Sequence, residues 1–223
     1  MERLLDLVEK YPLDFASYLS SSFPIVVGIL TYEFHKRSQR YIWLLFIFLF
    51  VKDSYSFWHV YHAQSTIYIQ NIETLFEAGF IGLIYYTCFD APLSKRIILY
   101  TGVLSFLIII LVYSYERMSI SSLLTFRAYS ITLSLAYLNK IIGDLRIRNI
   151  LKHTMFWFSA GLLIYATGTF FVSLFSEFLF NPKLVDNTTF DSYWNLNNIL
   201  FIIFSILSAT GIWFSKHDSE NLI

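Results

Sequence analysis

The chain has 223 residues, of which 56% are hydrophobic and 14% are charged, whereas soluble domains carry about 25% charged residues. This composition excludes a soluble protein and predicts an all-α, polytopic membrane protein. The 16 basic and 16 acidic residues balance, which argues against nucleic acid as a partner because phosphate neutralisation needs an excess of Lys and Arg.

Residues 1–12 are the first predicted element, a short amphipathic helix that lies in the lipid headgroup region. Apolar side chains recur there at helical spacing, at Met1, Leu4, Leu5, Val8 and Tyr11. The segment lacks the basic leader and the small-residue cleavage site of a secretory signal. Pro12 ends it before the first membrane span.

Seven apolar segments follow, each with roughly the 20 residues that a helix needs to cross a hydrocarbon core about 30 Å thick. Their predicted limits are 13–33, 41–61, 67–89, 95–114, 119–139, 154–179 and 190–214. Hydrophilic breaks separate them, such as "HKRSQR" after the first span and "DAPLSKR" after the third. We therefore expect one transmembrane domain, residues 13–214, and a short cytoplasmic tail, residues 215–223.

The distribution of Lys and Arg predicts the orientation of the spans. The loops after the first, third and fifth spans, together with the tail, carry ten of these residues, and the segments on the other side carry four. Because positive charge accumulates on the cytoplasmic side, we expect the N-terminus outside and the C-terminus in the cytoplasm.

Away from the ends of the predicted spans there are five residues with acidic or basic side chains: Lys52, Asp53, Glu73, Glu77 and Arg127. Such residues are costly in a membrane and usually face the bundle interior or a water-filled cavity. At 1.5 Å per residue, Asp53 and Arg127 are each about 12 Å below the outer surface, and Glu73 and Glu77 about 9 and 15 Å below it. The sequence thus predicts one polar layer in the outer half.

Neutral polar residues are expected in the same layer. Gln70 shares a helical stripe with the two glutamates, and Asn195 and Asn198 are three residues apart at the start of the seventh span. The predicted ligand site therefore consists of Asp53, Gln70, Glu73, Glu77, Arg127, Tyr165, Thr169, Asn195 and Asn198. The inner half of the bundle is expected to be apolar and closed.

Two interpretations of this polar layer stay open at the sequence level. The charged residues could form a buried network that only fixes helix packing. Alternatively they line a pocket, which we favour because three carboxylates face two cations. One carboxylate must then be protonated or must meet an external cation or donor.

Other motifs give little support to catalysis or metal binding. His59 and His62 are three residues apart at the end of the second span and are weak candidates for metal ligands, because no third ligand is evident. Zinc-protease motifs, a nucleophile elbow and phosphate loops are all absent from the sequence. We therefore predict no catalytic residues, no cofactor and, on balance, no enzyme.

Three stretches, "TLFEAGFIGLIYY", "FWFSAGLLIYATGTFF" and "YWNLNNILFIIFSILSATGIW", resemble a seven-helix integral membrane family of Bacteroidetes-type bacteria. Its members stand alone or form the N-terminal membrane module of sensor histidine kinases. Glu77, Tyr165, Asn195 and Asn198 match positions of the family pattern. The resemblance implies the bacterial inner membrane as location.

These observations predict a membrane-embedded sensor or signal-relay module that binds a small ligand or cation from the outer side. Without an output domain it would act through a separate signalling partner, docked on the basic loop at residues 139–153. That loop could instead bind anionic headgroups of the membrane lipids. A small-solute transporter and an intramembrane lipid-modifying enzyme are the alternatives.

Overall fold

A computed structural model describes residues 8–143, 148–175 and 187–218, with side chains from residue 191 onward in the last range. All regular elements in these ranges are helical. Most of the predicted amphipathic segment lies outside the described residues. So do the centre of the basic loop (144–147), most of the loop between the sixth and seventh spans (176–186), and the last five residues of the tail.

Eight α-helices account for most of the described chain. They are α1 (Pro12–Ser20), α2 (Ser22–Leu30), α3 (Arg37–Tyr61), α4 (Ile67–Cys88), α5 (Pro92–Leu111), α6 (Ile120–Gly143), α7 (Thr154–Leu174) and α8 (Asn187–Trp213). Short 3₁₀ turns follow α2, precede α7 and follow α8, at Tyr32–Phe34, Ile150–Lys152 and Phe214–His217.

Five stretches are long and apolar enough to cross a membrane, as expected of an integral membrane protein. They are Pro12–Leu30, Arg37–Tyr61, Pro92–Leu111, Thr154–Leu174 and Asp191–His217. Helices α4 and α6 are not among them, so the expected count of seven spans and the orientation stay predictions.

The first predicted span is broken where α1 ends and α2 begins. Pro24 has no backbone N–H to donate to the preceding turn. Just before it, three consecutive hydroxyls donate to other carbonyls, each three residues earlier: Ser20 to Ser17 O (2.6 Å), Ser21 to Tyr18 O (2.7 Å) and Ser22 to Leu19 O (2.6 Å). These bonds satisfy backbone acceptors at the break, where an apolar membrane offers no water.

The helices pack in chain order around a closed ring. Each helix from α3 to α7 contacts the helix that follows it in the chain. The last helix, α8, packs against α1 and α2, which in turn contact α3. Helix α4 also contacts α6, which leaves α5 on the periphery. Large apolar side chains of α5 are widely exposed, Tyr100 at 70% and Leu111 at 82%, as is typical of a surface that faces lipid rather than water.

The bundle has two ends with different polar contacts. The cavity end contains the starts of α1, α4, α6 and α8 and the end of α3. There Asn71 fixes the loop between α5 and α6, because its Nδ2 donates to Ser114 O (2.5 Å) and Arg117 O (2.8 Å) and its Oδ1 accepts from Ser119 N (3.0 Å).

The opposite end, the tail end, is organised around Asp218. This carboxylate is 3% exposed and accepts from Gln39 Nε2 (2.5 Å), His153 Nδ1 (3.1 Å) and Thr154 N (3.1 Å). His153 Nε2 lies 3.0 Å from Tyr137 OH. We name these five residues the Asp218 cluster.

The expectation that this half of the bundle is apolar needs correction. Besides the Asp218 cluster, Tyr85 OH lies 3.0 Å from both Ser134 Oγ and Ser159 Oγ in the core. The polar groups of the cluster come from the ends of α3, α6 and α7 and from the segment after α8. Gln39, His153 and Asp218 looked like loop or tail residues in the linear sequence, Tyr137 and Thr154 were at the ends of predicted spans, and only the fold brings them together.

A continuous series of aromatic contacts joins the two ends through the core. Successive ring centroids are 5.6, 5.7, 6.3, 5.8 and 6.4 Å apart, within or close to the usual range for interacting rings. This aromatic ladder consists of Tyr165, Phe204, Phe158, Tyr85, Tyr137 and His153.

Helices α7 and α8 approach closely at Gly211. A Cβ atom added there would lie 2.7 Å from the carbonyl oxygen of Thr154, which is too close for a normal contact. The glycine therefore permits the backbone approach that places the start of α7 beside the end of α8 and, with it, Asp218 beside Thr154.

Candidate functional site

A cavity of about 300 Å³ lies inside the ring and reaches the cavity end of the bundle. Its rim includes the exposed residues Tyr11 and Val60, and its floor includes the buried residues Glu77, Arg127 and Tyr165. Helices α1, α3, α4, α6, α7 and α8 all contribute to its wall. The volume is at the lower end of the range for small-molecule sites.

The structure brings most of the predicted site residues into the wall of this cavity, namely Asp53, Gln70, Glu73, Glu77, Arg127, Tyr165 and Asn198. It does not bring Thr169 and Asn195 there. Thr169 is buried against its own helix, where its hydroxyl donates to Tyr165 O (2.7 Å). Asn197 lines the cavity in place of Asn195. The residues of α8 that face inward therefore include the pair Asn197 and Asn198 but not Asn195.

Lys52 is the centre of an ion-paired group in the wall. Its Nζ lies 2.5 Å from Asp53 Oδ1 and 2.7 Å from Glu73 Oε1. All three side chains are about one-fifth exposed or less. The group links α3 to α4 and carries one net negative charge when ionised.

Arg127 lies in the floor between two aromatic rings. Its Nη2 donates to Tyr165 OH (2.9 Å), and its Cζ is 4.3 Å from the centroid of that ring and 4.9 Å from the centroid of Phe126. Guanidinium groups bind aromatic faces in this way. Its Nε and Nη1 are buried and have no hydrogen-bond partner in the described structure.

Glu77 lies one helical turn beyond Glu73, and its carboxylate belongs to the cavity floor. Its side chain is buried, with 6% of the residue exposed. No hydrogen bond or ion pair joins it to another residue in the described ranges, whereas Glu73 shares Lys52 with Asp53. Glu77 is thus a nearly buried carboxylate whose open side is the cavity.

Asp14 of α1 belongs to the wall and was missed by the sequence analysis. Its Oδ1 accepts from Trp194 Nε1 (2.8 Å) and from Asn198 Nδ2, so it ties α1 to α8. The sequence signal is a carboxylate two residues after Pro12, inside the first predicted span. It was not counted because it lies so near the expected boundary.

The two candidate metal ligands of α3 do not converge. His59 Nδ1 donates to Tyr55 O (3.2 Å) and its Nε2 accepts from Tyr68 OH (2.9 Å), while His62 Nδ1 donates to Trp58 O (2.8 Å). In the described part of the chain, no three His, Cys, Asp or Glu residues are grouped as a metal site.

Comparison of this chain with protein-family models, with curated protein sequences and with solved structures finds no match. The candidate site therefore has to be interpreted from its own chemistry.

Proposed function

We propose that the protein is a membrane-embedded sensor or signal-relay module that binds a small ligand in the cavity between α1, α3, α4, α6, α7 and α8. Glu77 carries this proposal. A buried carboxyl group without a hydrogen bond or ion pair is costly, and a network that served only packing would be expected to pair it. A carboxylate that instead faces a cavity is typical of a binding site.

The aromatic ladder supports the relay part of the proposal. It begins at Tyr165, which touches Arg127 in the cavity floor, and ends at His153 in the Asp218 cluster. Packed cores switch between discrete arrangements rather than deforming continuously. A shift of Tyr165 on ligand binding would therefore reach the start of α7, at the tail end, and the segment after α8 through side chains already in contact.

The topology expected from the sequence is part of the same proposal. In this topology all seven predicted spans, the first made of α1 and α2, cross the bacterial inner membrane. The cavity end is outside and the tail end is in the cytoplasm. Glu73, Glu77 and Arg127 lower the apolarity of α4 and α6, and all three face the cavity rather than lipid. A separate signalling partner would bind at the tail end.

Cysteine labelling tests this topology, because Cys88 is the sole cysteine in the sequence. In a Cys88→Ser background, Ser65→Cys lies at the cavity end and Ser94→Cys at the tail end. We expect a membrane-impermeant maleimide to label Ser65→Cys in intact cells and to label Ser94→Cys only after lysis. The opposite pattern would reverse the orientation.

A thermal-shift screen of the purified protein tests ligand binding. At 100 times its dissociation constant a ligand stabilises the folded state by about 2.7 kcal/mol, or about 5–11 °C in melting temperature for a chain of this size. At the same ligand concentration we expect Glu77→Gln to reduce the shift to about half or less, and Glu33→Gln, which changes an exposed glutamate at the tail end, to retain it. A full shift in Glu77→Gln would contradict the proposal.

Hydrogen exchange with and without a screening hit tests the relay. We expect altered protection at residues 148–158 and 212–218, on the far side of the bundle from the cavity. A change in protection confined to the cavity end would contradict the relay part of the proposal. Uptake of the same hit into proteoliposomes would indicate a transporter instead.

A further inference from the structure

We infer that the ligand of this cavity is a small organic cation, an amine whose charged nitrogen lies against Glu77 and whose apolar part lies against aromatic rings. This inference rests on the proposed function, because it names the ligand class of the same cavity.

The charge of the wall favours a cation. Among the described lining residues there are four carboxylates and two cationic side chains, Asp14, Asp53, Glu73 and Glu77 against Lys52 and Arg127. The contacts described above do not remove this excess, since Lys52 is shared by two carboxylates and Asp14 is bound by neutral donors. In a space of low dielectric, such an excess attracts positive charge strongly.

The surroundings of Arg127 argue against a zwitterion or an anion. Its Nη2 is already bonded to Tyr165 OH, and the rings of Tyr165 and Phe126 flank its guanidinium group. Its Nε and Nη1 are buried away from the cavity space. A carboxylate on a ligand would therefore reach no unpaired guanidinium donor in the floor, since the two unpaired ones are buried, whereas an ammonium group would find the open carboxylate of Glu77.

Seven of the described aromatic side chains also line the cavity, and they fit an organic cation rather than a metal ion. They are Tyr11, Tyr18, Phe57, Tyr165, Tyr193, Trp194 and Phe201. Ring faces attract ammonium groups and also bury the carbon atoms that such a ligand carries. A metal ion would need several converging ligands, and the described carboxylates do not converge in that way.

A matched series of ligands tests the inference. Phenethylamine, phenethyl alcohol, phenylalanine and 3-phenylpropionate carry the same ring with a cationic, neutral, zwitterionic or anionic head, and propylamine and tryptamine extend the amine class to other sizes. Binding is measured by titration calorimetry on the full chain in lipid nanodiscs. We expect amines to bind and the zwitterion and anion not to bind.

Glu77→Gln should weaken amine binding about 10- to 100-fold, the range expected for a lost charge-assisted hydrogen bond, and Glu33→Gln should leave it unchanged. Phe57→Leu keeps an apolar wall but removes one ring, and it should weaken amine binding about 3- to 10-fold. The second variant keeps the test decisive if Glu77→Gln does not fold.

Two results would overturn the inference. If the zwitterion or the anion binds as tightly as the amine, the ligand class is wrong while the cavity remains a ligand site. If amine affinity is the same in wild type, Glu77→Gln and Phe57→Leu, amines do not bind where we place them. If no compound binds, in this series or in the wider screen, the proposed function itself fails.

Discussion

Removal of the Asp218 carboxylate should destabilise the protein strongly, although this residue is far from the cavity. In Asp218→Ala the side-chain amide of Gln39, the ring of His153 and the backbone N–H of Thr154 all lose their acceptor. Thr154 is the first residue of α7. The variant therefore also removes a negative charge from a helix N-terminus, where negative charge is favourable.

The magnitude follows from these three bonds. A hydrogen bond to a charged group contributes about 1.5–3 kcal/mol, but the three do not add fully, because Gln39 Nε2 keeps Thr154 Oγ1 as a partner at 3.2 Å. We expect a loss of about 2–4 kcal/mol, which corresponds to a fall of about 5–15 °C in melting temperature for a chain of this size.

Melting in detergent, followed by intrinsic fluorescence, provides the assay. Asp218→Asn keeps one acceptor oxygen and should fall between wild type and Asp218→Ala. The control is Asp90→Ala, because the Asp90 side chain is 89% exposed and its ion pair with Lys140 at 3.3 Å should contribute at most about 1 kcal/mol. If Asp218→Ala melts no lower than Asp90→Ala, the cluster does not hold the tail end together.

Three further outcomes are expected. Gly211→Ala should destabilise the protein by about 1–3 kcal/mol through overpacking. The control Gly79→Ala, with no atom within 4 Å of the added Cβ, should be neutral or stabilise the protein by up to about 1 kcal/mol. Equal melting temperatures of the two variants would contradict the close approach of α7 and α8 at Gly211. Asn71→Ala should lower the melting temperature and increase proteolysis of the loop between α5 and α6, and an unchanged digestion pattern would count against its role. Burial, with a smaller contribution from Arg40, lowers the pKa of His35 in the folded protein. Folding therefore favours the neutral imidazole, and the free energy of unfolding decreases as the pH drops below about 6.5, the usual pKa of histidine. The melting temperature should therefore fall less between about pH 7.5 and pH 5 in His35→Gln than in wild type. A larger fall in the variant would contradict a lowered pKa of His35 in the folded protein.

Composition and apolar segment length predicted the helical membrane fold because both are local properties of the sequence. The depth argument brought Asp53, Glu73, Glu77 and Arg127 to one level because helical rise is nearly constant. The structure places all four in the wall of one cavity. It also pairs Lys52 with two carboxylates, which a count of charges could not assign.

What the sequence analysis missed depends on contacts between distant residues. Gln39 and Asp218 are 179 positions apart, and no periodicity relates them. Thr169 was placed in the site by its depth alone, but its rotation about α7 turns its hydroxyl to its own backbone. The break between α1 and α2 is the exception, since "SSSFP" marks it in the sequence.

That break has a mechanical consequence for the cavity. One wall is formed by α1, a rod of nine residues that is about 14 Å long at helical rise. Tyr18 OH is 3.0 Å from Ser54 Oγ, and Asp14 bonds to Trp194 and Asn198. Movement of this wall outward would therefore break these side-chain bonds and the packing of α1 on α3 and α8, while α2 keeps its own contacts with the same two helices. The break at Ser21 would be the pivot.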